Sequence, residues 1–164
     1  YGMYNGVSQL LLKVAAPGVP DCYQGAELWE LNLVDPDNRR PVDYALRARM
    51  LKEFDQAATN EAGERIECLR RLTESWQDGR LKLFILRAAL RHRRAYPDLY
   101  LDGDYVPLDC EGPHQFHLCA FARLHQDQAV VTVAPRFMAG SALLGCKFGL
   151  PWLSAWGVTC AAAA

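Results

Sequence analysis

The chain has 164 residues, 51% hydrophobic, 23% charged and 10% aromatic, and its 18 basic and 19 acidic side chains leave a net charge of −1. That composition excludes a disordered tail, a collagenous repeat and a coiled-coil rod. The charge balance gives no overall attraction to nucleic acid or to an anionic membrane, and Lys13 breaks the apolar run at 10–16 well short of the ~20 residues that span a bilayer.

No cationic segment precedes that run, so it does not read as a signal peptide. Six cysteines without a Cys-x-x-Cys spacing fit reduced thiols and a cytoplasmic setting better than a disulfide framework or a zinc site. A chain that opens on Tyr1 in mid-pattern reads as a piece of a larger protein, and the alanines at 161–164 read as a ragged tail.

Val7, Leu10, Leu11 and Val14 recur at helical spacing, so 5–15 reads as a helix stopped by Pro17-Gly18. A short extended run follows at 19–24, with Pro20 suited only to the first position of a strand. Residues 25–40 have no apolar period and hold the turn former Asp35-Pro36-Asp37-Asn38, which predicts a long loop of the kind usually kept for function. Pro41 suits a first helical turn, and Leu46, Met50, Leu51 and Phe54 give the next helix one apolar face, with Asp43 four residues before Arg47. Ile66, Leu69, Leu72 and Trp76 mark another helix, with Glu61–Arg65 and Glu67–Arg71 as favourable pairs, ended by Asp78-Gly79. Leu83, Leu86 and Leu90 mark a last helix that stops before Pro97. Short β-type runs at 104–109, 116–124 and 128–134 then predict an antiparallel sheet, and 138–164 has no assignable period. The fold class is α+β, with its boundary near 97–103.

Several motifs fail on their spacing. The Gly140 to Lys147 stretch has its lysine one place late for a phosphate loop and no Ser or Thr after it. Asp35 and Asp37 resemble the opening of a calcium loop, but Arg40 and Leu46 stand where Gly and Glu are required. His114 and His117 lack further metal ligands nearby, so no metal and no cofactor is expected. Arg80, Lys82, Arg87, Arg91, Arg93 and Arg94 make one helix basic, but no stacking aromatics interleave them; a solvated arginine edge explains them better than a nucleic-acid face.

One constellation remains. Gln24, Glu27, Trp29, Glu30, Asn32, Asp35, Asp37, Asn38, Arg39 and Arg40 crowd one loop. Such groups can donate to and accept from sugar hydroxyls, and a Trp can cover an apolar sugar face. Asp35 and Arg39, four apart across a turn, can pair and grip one hexose. A solvated loop closed by an Asp–Arg bridge is the competing account.

The run Pro17-Gly-Val-Pro-Asp-Cys-Tyr-Gln-Gly-Ala-Glu27 resembles the eighth-strand signature of the alpha-amylase superfamily. Its continuation, Leu28-Trp-Glu-Leu-Asn-Leu-Val-Asp-Pro-Asp-Asn-Arg-Arg-Pro-Val-Asp-Tyr44, is similar to the maltooligosyltrehalose synthase family, which turns the reducing-end α-1,4 linkage of a maltooligosaccharide into an α,α-1,1 linkage. Gln24 stands where most other superfamily members carry a Tyr or Phe. Lys82-Leu-Phe, Arg94 and Tyr105-Val-Pro-Leu extend the likeness over roughly 5–136.

The resemblance implies that 1–97 is the C-terminal portion of a (β/α)8 barrel, its last strand and closing helices, because a whole barrel needs ~250 residues. Residues 98–160 would be part of a small antiparallel β domain, with 161–164 a tail. It further implies that Asp35 and Arg39 hold a sugar on the non-reducing side of the scissile bond, with Gln24, Glu27, Trp29 and Asn38 on the same rim. The catalytic carboxylates would come from earlier strands, so no Asp or Glu of this chain would be catalytic and the piece alone would be inactive. The expected partner is a maltooligosaccharide, not nucleic acid or a membrane, and an unpaired barrel edge offers a route to self-association.

Overall fold

The computed structural model describes residues 1–57, 62–138 and 159–162. The chain divides into two compact units, Tyr1–Pro20 with Ala88–Ala164, and Asp21–Arg87. This grouping differs in kind from a division at 97–103, which marks where helices give way to strands.

The first unit contains α1 (Gly2–Ala15), the end of α4 (Arg80–Ala95), α5 (Pro97–Leu101) and a sheet of β1 (Asp104–Glu111), β2 (Leu118–His125), β3 (Gln128–Pro135) and β4 (Thr159–Ala162). The strand order is β3-β2-β1-β4, with every neighbour antiparallel. The expected sheet is therefore present, with two differences. A 3-10 turn over Gln115–His117 delays β2 to Leu118, and β4 adds a strand that an alanine-rich stretch did not signal. Leu10 and Val14 of α1 are buried, as the helical spacing predicts, and α1 packs on β3.

Arg123 is 2% exposed and donates through Nη2 to Tyr100 O (3.0 Å) and Gly103 O (2.6 Å), holding carbonyls at the end of α5. Arg93 does the same for α1, donating through Nη1 to Val14 O (2.7 Å) and through Nη2 to Gly18 O. Burial pushes the Tyr100 hydroxyl up, against the pull of Arg93 and Arg123.

The second unit contains α2 (Tyr44–Ala57), α3 (Ala62–Glu74) and the start of α4. Met50, Phe54, Leu72, Leu81, Leu83 and Leu86 are buried, and Phe54 meets Phe84 edge to face at 5.4 Å. α2 begins at Tyr44, later than Pro41, because the Asp43 carboxylate caps it by accepting from Leu46 N at 2.8 Å. The helix expected to run through Trp76 stops at Glu74; a 3-10 turn over Trp76–Asp78 follows and ends at Gly79, whose φ of 81° suits glycine. Glu61, and with it any pairing to Arg65, and the stretch from Gly140 to Lys147 lie outside the described residues.

The extended run at 19–24, expected as the last barrel strand, does not form a strand. Pro20 has no N–H to give, Val19 is 89% exposed, and no described strand offers 19–24 a ladder. No helix among the described residues is long and apolar enough to cross a membrane.

On α3, side-chain hydrogen bonds from Arg70 and Arg71 hold the Glu67 carboxyl at about 2, below the usual 4.5. A carboxyl depressed in the folded state supports the helix above pH 4.5 and loses that support as pH falls toward 2. An NMR titration of the Glu67 side chain should give a midpoint near 2. A midpoint near 4.5 would show that neither arginine pairs with Glu67 in solution.

Candidate functional site

Between Asp21 and Asp43 the chain forms neither an α-helix nor a strand, so its backbone groups must find partners singly. Short turns supply some of them. Ala26 N donates to Tyr23 O (3.0 Å), Asp37 N to Val34 O (3.0 Å) and Arg39 N to Pro36 O (3.0 Å), the last two framing a 3-10 turn over Asp37–Arg39. Side chains supply others: Asp37 Oδ2 accepts from Leu33 N at 2.8 Å, and Glu30 Oε1 from Asn32 N at 3.0 Å.

Asp35 and Arg39 stand at this turn, side by side. Arg39 Nε lies 2.5 Å from Asp35 Oδ1 and Nη2 lies 2.9 Å from Oδ2, a two-point pairing of a planar fork with a carboxylate. The side chains are 55% and 71% exposed, so the pair itself adds little stability. Two of the five guanidinium N–H groups are engaged, leaving donors and outer carboxylate lone pairs facing solvent in a fixed plane. Such a surface can accept from and donate to neighbouring hydroxyls. Asp37 pairs with Arg40, so the two aspartates of the supposed calcium loop both face arginines.

Gln24 is exposed beside Gly25. Asn38 is half-buried, with its Oδ1 enclosed and without a partner. Glu27 and Trp29 are held more firmly. Glu27 Oε2 accepts from Arg47 Nε at 2.9 Å. Trp29 Nε1 donates to Trp76 O at 2.5 Å, the two indoles meet edge to face at 6.4 Å, and the Lys82 ammonium lies 5.6 Å from the Trp29 ring centroid. Lys82 Nζ also donates to Leu28 O at 2.9 Å. The loop therefore brings Asp35 and Arg39 together, with Asn38 in the same turn, and it commits Glu27 and Trp29 to contacts with the helices and the turn after α3.

Four residues outside the expected set shape the site: Arg47, Trp76, Gly79 and Lys82. Trp29 and Trp76 are 47 residues apart, and no local spacing announces such a pair. Arg47 sits four after Asp43, but the carboxylate of Asp43 is occupied at the helix cap, so Arg47 Nη1 donates to the Asp43 carbonyl instead, at 3.1 Å.

The basic side chains of α4 are largely claimed within their own units. Arg80 pairs with Glu53 (2.7 Å) and Asp78 (3.2 Å), and Arg87 with Asp55. Lys82 and Arg93 donate to carbonyls. Intramolecular acceptors thus compete with phosphate along that helix.

A Cβ on Gly79 would lie 3.0 Å from Leu28 Cβ and 3.1 Å from Trp29 N, at a positive φ. Gly79→Ala should therefore lower the unfolding free energy by about 1–2 kcal/mol, the usual cost of a left-handed non-glycine residue, and should shift tryptophan emission. Unchanged urea unfolding would show that the contact at Trp29 is loose.

No family model matches the chain. A maltooligosyl trehalose synthase of Mycobacterium tuberculosis is 42% identical over 119 residues, 73% of this chain and 12% of that protein. The solved maltooligosyltrehalose synthase of Arthrobacter ramosus is 34% identical with a TM-score of 0.63, covering 88% of this chain and 16% of that one. A further maltooligosyl trehalose synthase structure gives 31% identity and a TM-score of 0.65 over 82% of this chain and 16% of its own. The chain thus spans about an eighth of the curated relative's length. By sequence and by structure, this chain is homologous to part of the maltooligosyltrehalose synthases.

Proposed function

We propose that this chain is the part of a maltooligosyltrehalose synthase that grips the oligosaccharide, at the end of a (β/α)8 barrel whose catalytic strands lie elsewhere in the protein. The supporting observation is the two-point Asp35–Arg39 pair, exposed at a turn within the stretch whose sequence resembles that of the family. Barrel sites lie on the loops after the strands, and in this reading 19–24 gains its ladder from a neighbouring strand of the same barrel. Gln24, Asp35, Asn38 and Arg39 meet sugar hydroxyls, while Glu27 and Trp29 hold the loop that presents them.

The reaction is an intramolecular glucosyl transfer with retention. One carboxylate attacks the anomeric carbon and another protonates the leaving oxygen, the pair standing about 5–5.5 Å apart. Both come from sequence outside this chain. The released glucose must stay bound, turn, and re-attack through its own anomeric hydroxyl while water is excluded. Fixed donors and acceptors such as Asp35 and Arg39 serve that retention. On its own, the piece lacks those carboxylates and is inactive.

A hybrid in which this chain replaces the matching part of the Arthrobacter ramosus enzyme tests the proposal. Maltopentaose should acquire trehalosyl ends, and Arg39→Ala should lower kcat/KM by about tenfold or more, the value of a charge-assisted hydrogen bond. Formation of glucose and shorter maltooligosaccharides alone would point to a hydrolase of the alpha-amylase superfamily. Sugar binding without turnover by the hybrid would point to a carbohydrate-binding module. Unchanged kinetics on Arg39→Ala would remove Arg39 from the site.

A further inference from the structure

Arg47 belongs to the first turn of α2, yet its guanidinium reaches both ends of the loop. Nε donates to Glu27 Oε2 (2.9 Å) and Nη2 to Gly25 O (2.8 Å), near the loop's start, and Nη1 donates to Asp43 O (3.1 Å), at its end. Three nitrogens of one rigid plane thus tie two neighbouring acceptors at the loop's start to one at its end. The side chain is 13% exposed, which strengthens charge-assisted bonds relative to a solvated pair.

The surroundings are equally tight. A Cβ on Gly25 would lie 3.2 Å from Glu30 Oε2 and 3.4 Å from Val42 Cγ2, so chain from both ends of the loop closes on this point.

We infer that Arg47 is the positioning residue of the candidate sugar site. It closes the neck of the 25–43 loop and so sets where Gln24 stands relative to Asp35, Asn38 and Arg39. The functional half of this inference rests on the sugar-binding reading; the closing of the neck does not. A lysine offers one compact charge and no planar fork, so it replaces Arg47 only in part.

Hydrogen exchange read by mass spectrometry on the 164-residue chain tests the clamp. Arg47→Ala should accelerate exchange across 25–43 by about ten- to a hundredfold, as the loss of charge-assisted bonds implies, while amides in the middle of α4 keep their rates. Arg47→Lys should fall between Arg47→Ala and the parent chain. Unchanged exchange over 25–43 overturns the clamp. If Arg47→Ala does not fold, Glu27→Gln, which keeps the shape and removes the charge, should give a weaker acceleration of the same segment, and none would overturn it.

In the hybrid enzyme, Arg47→Ala should raise KM for maltopentaose by about tenfold with a smaller change in kcat. A purely structural role would lower kcat through the active fraction at constant KM, and that result overturns the positioning role. A hybrid without trehalosyl products, alongside accelerated loop exchange, would reject the sugar-site reading and leave the clamp standing.

Discussion

A stretch of chain with neither helix nor ladder has to satisfy its polar backbone one group at a time. Between Asp21 and Asp43 short turns and the loop's own Asp37 and Glu30 do part of this, and a small number of side chains anchored on helices add to them. Arg47 of α2 serves both ends of the loop, and Lys82 of α4 serves the Leu28 carbonyl. The Trp76 carbonyl takes the indole N–H of Trp29. These contacts order the loop, and through it the exposed Asp35–Arg39 pair. Without them, the nineteen-residue excursion from Gly25 to Asp43 would be a solvated coil, and the side chains that suit a sugar would have no common frame.

The division of labour within the loop follows. In the proposed sugar-binding reading, side chains that meet the ligand must leave some valence unspent, and the exposed Asp35, Arg39 and Gln24 satisfy that requirement. Side chains that hold the loop spend theirs internally, as Glu27 does on Arg47 and Trp29 does on Trp76. A sugar is recognised by many modest hydrogen bonds to hydroxyls at fixed separations. In the proposed reading, a two-point ion pair at a tight turn contributes to that geometry at low conformational entropy.

Much of the fold could be read from the sequence, where periodicity is a local property. Met50 and Phe54 are buried on α2, Leu83 and Leu86 on α4, and Leu10 and Val14 on α1, each at the predicted spacing. β2 and β3 pair along their full length. Features that depend on distant partners were not legible. The run at 19–24 has the residues of a strand but no neighbour to pair with among the described residues, and β4 exists because β1 offers its register, not because Thr159–Ala162 has strand character. In the site, the pairing of Asp35 with Arg39 follows from four-residue spacing across a turn. The attachment of Trp29 to Trp76 and of Glu27 to Arg47 links residues 47 and 20 apart, where no local rule operates. Asp43 shows how a local expectation is displaced: its carboxylate suits Arg47 on spacing, but the helix terminus has the prior claim on it.

The account stands or falls on whether Glu27 and Arg47 act as one unit, since that pair joins the loop to the helix that carries it. The direct measurement is a double-mutant cycle on urea unfolding, with Glu27→Gln, Arg47→Ala and the combination. A coupling energy of about 1–3 kcal/mol is predicted for a partly buried, hydrogen-bonded ion pair. Strict additivity of the two substitutions would contradict it and would leave the loop without its clamp.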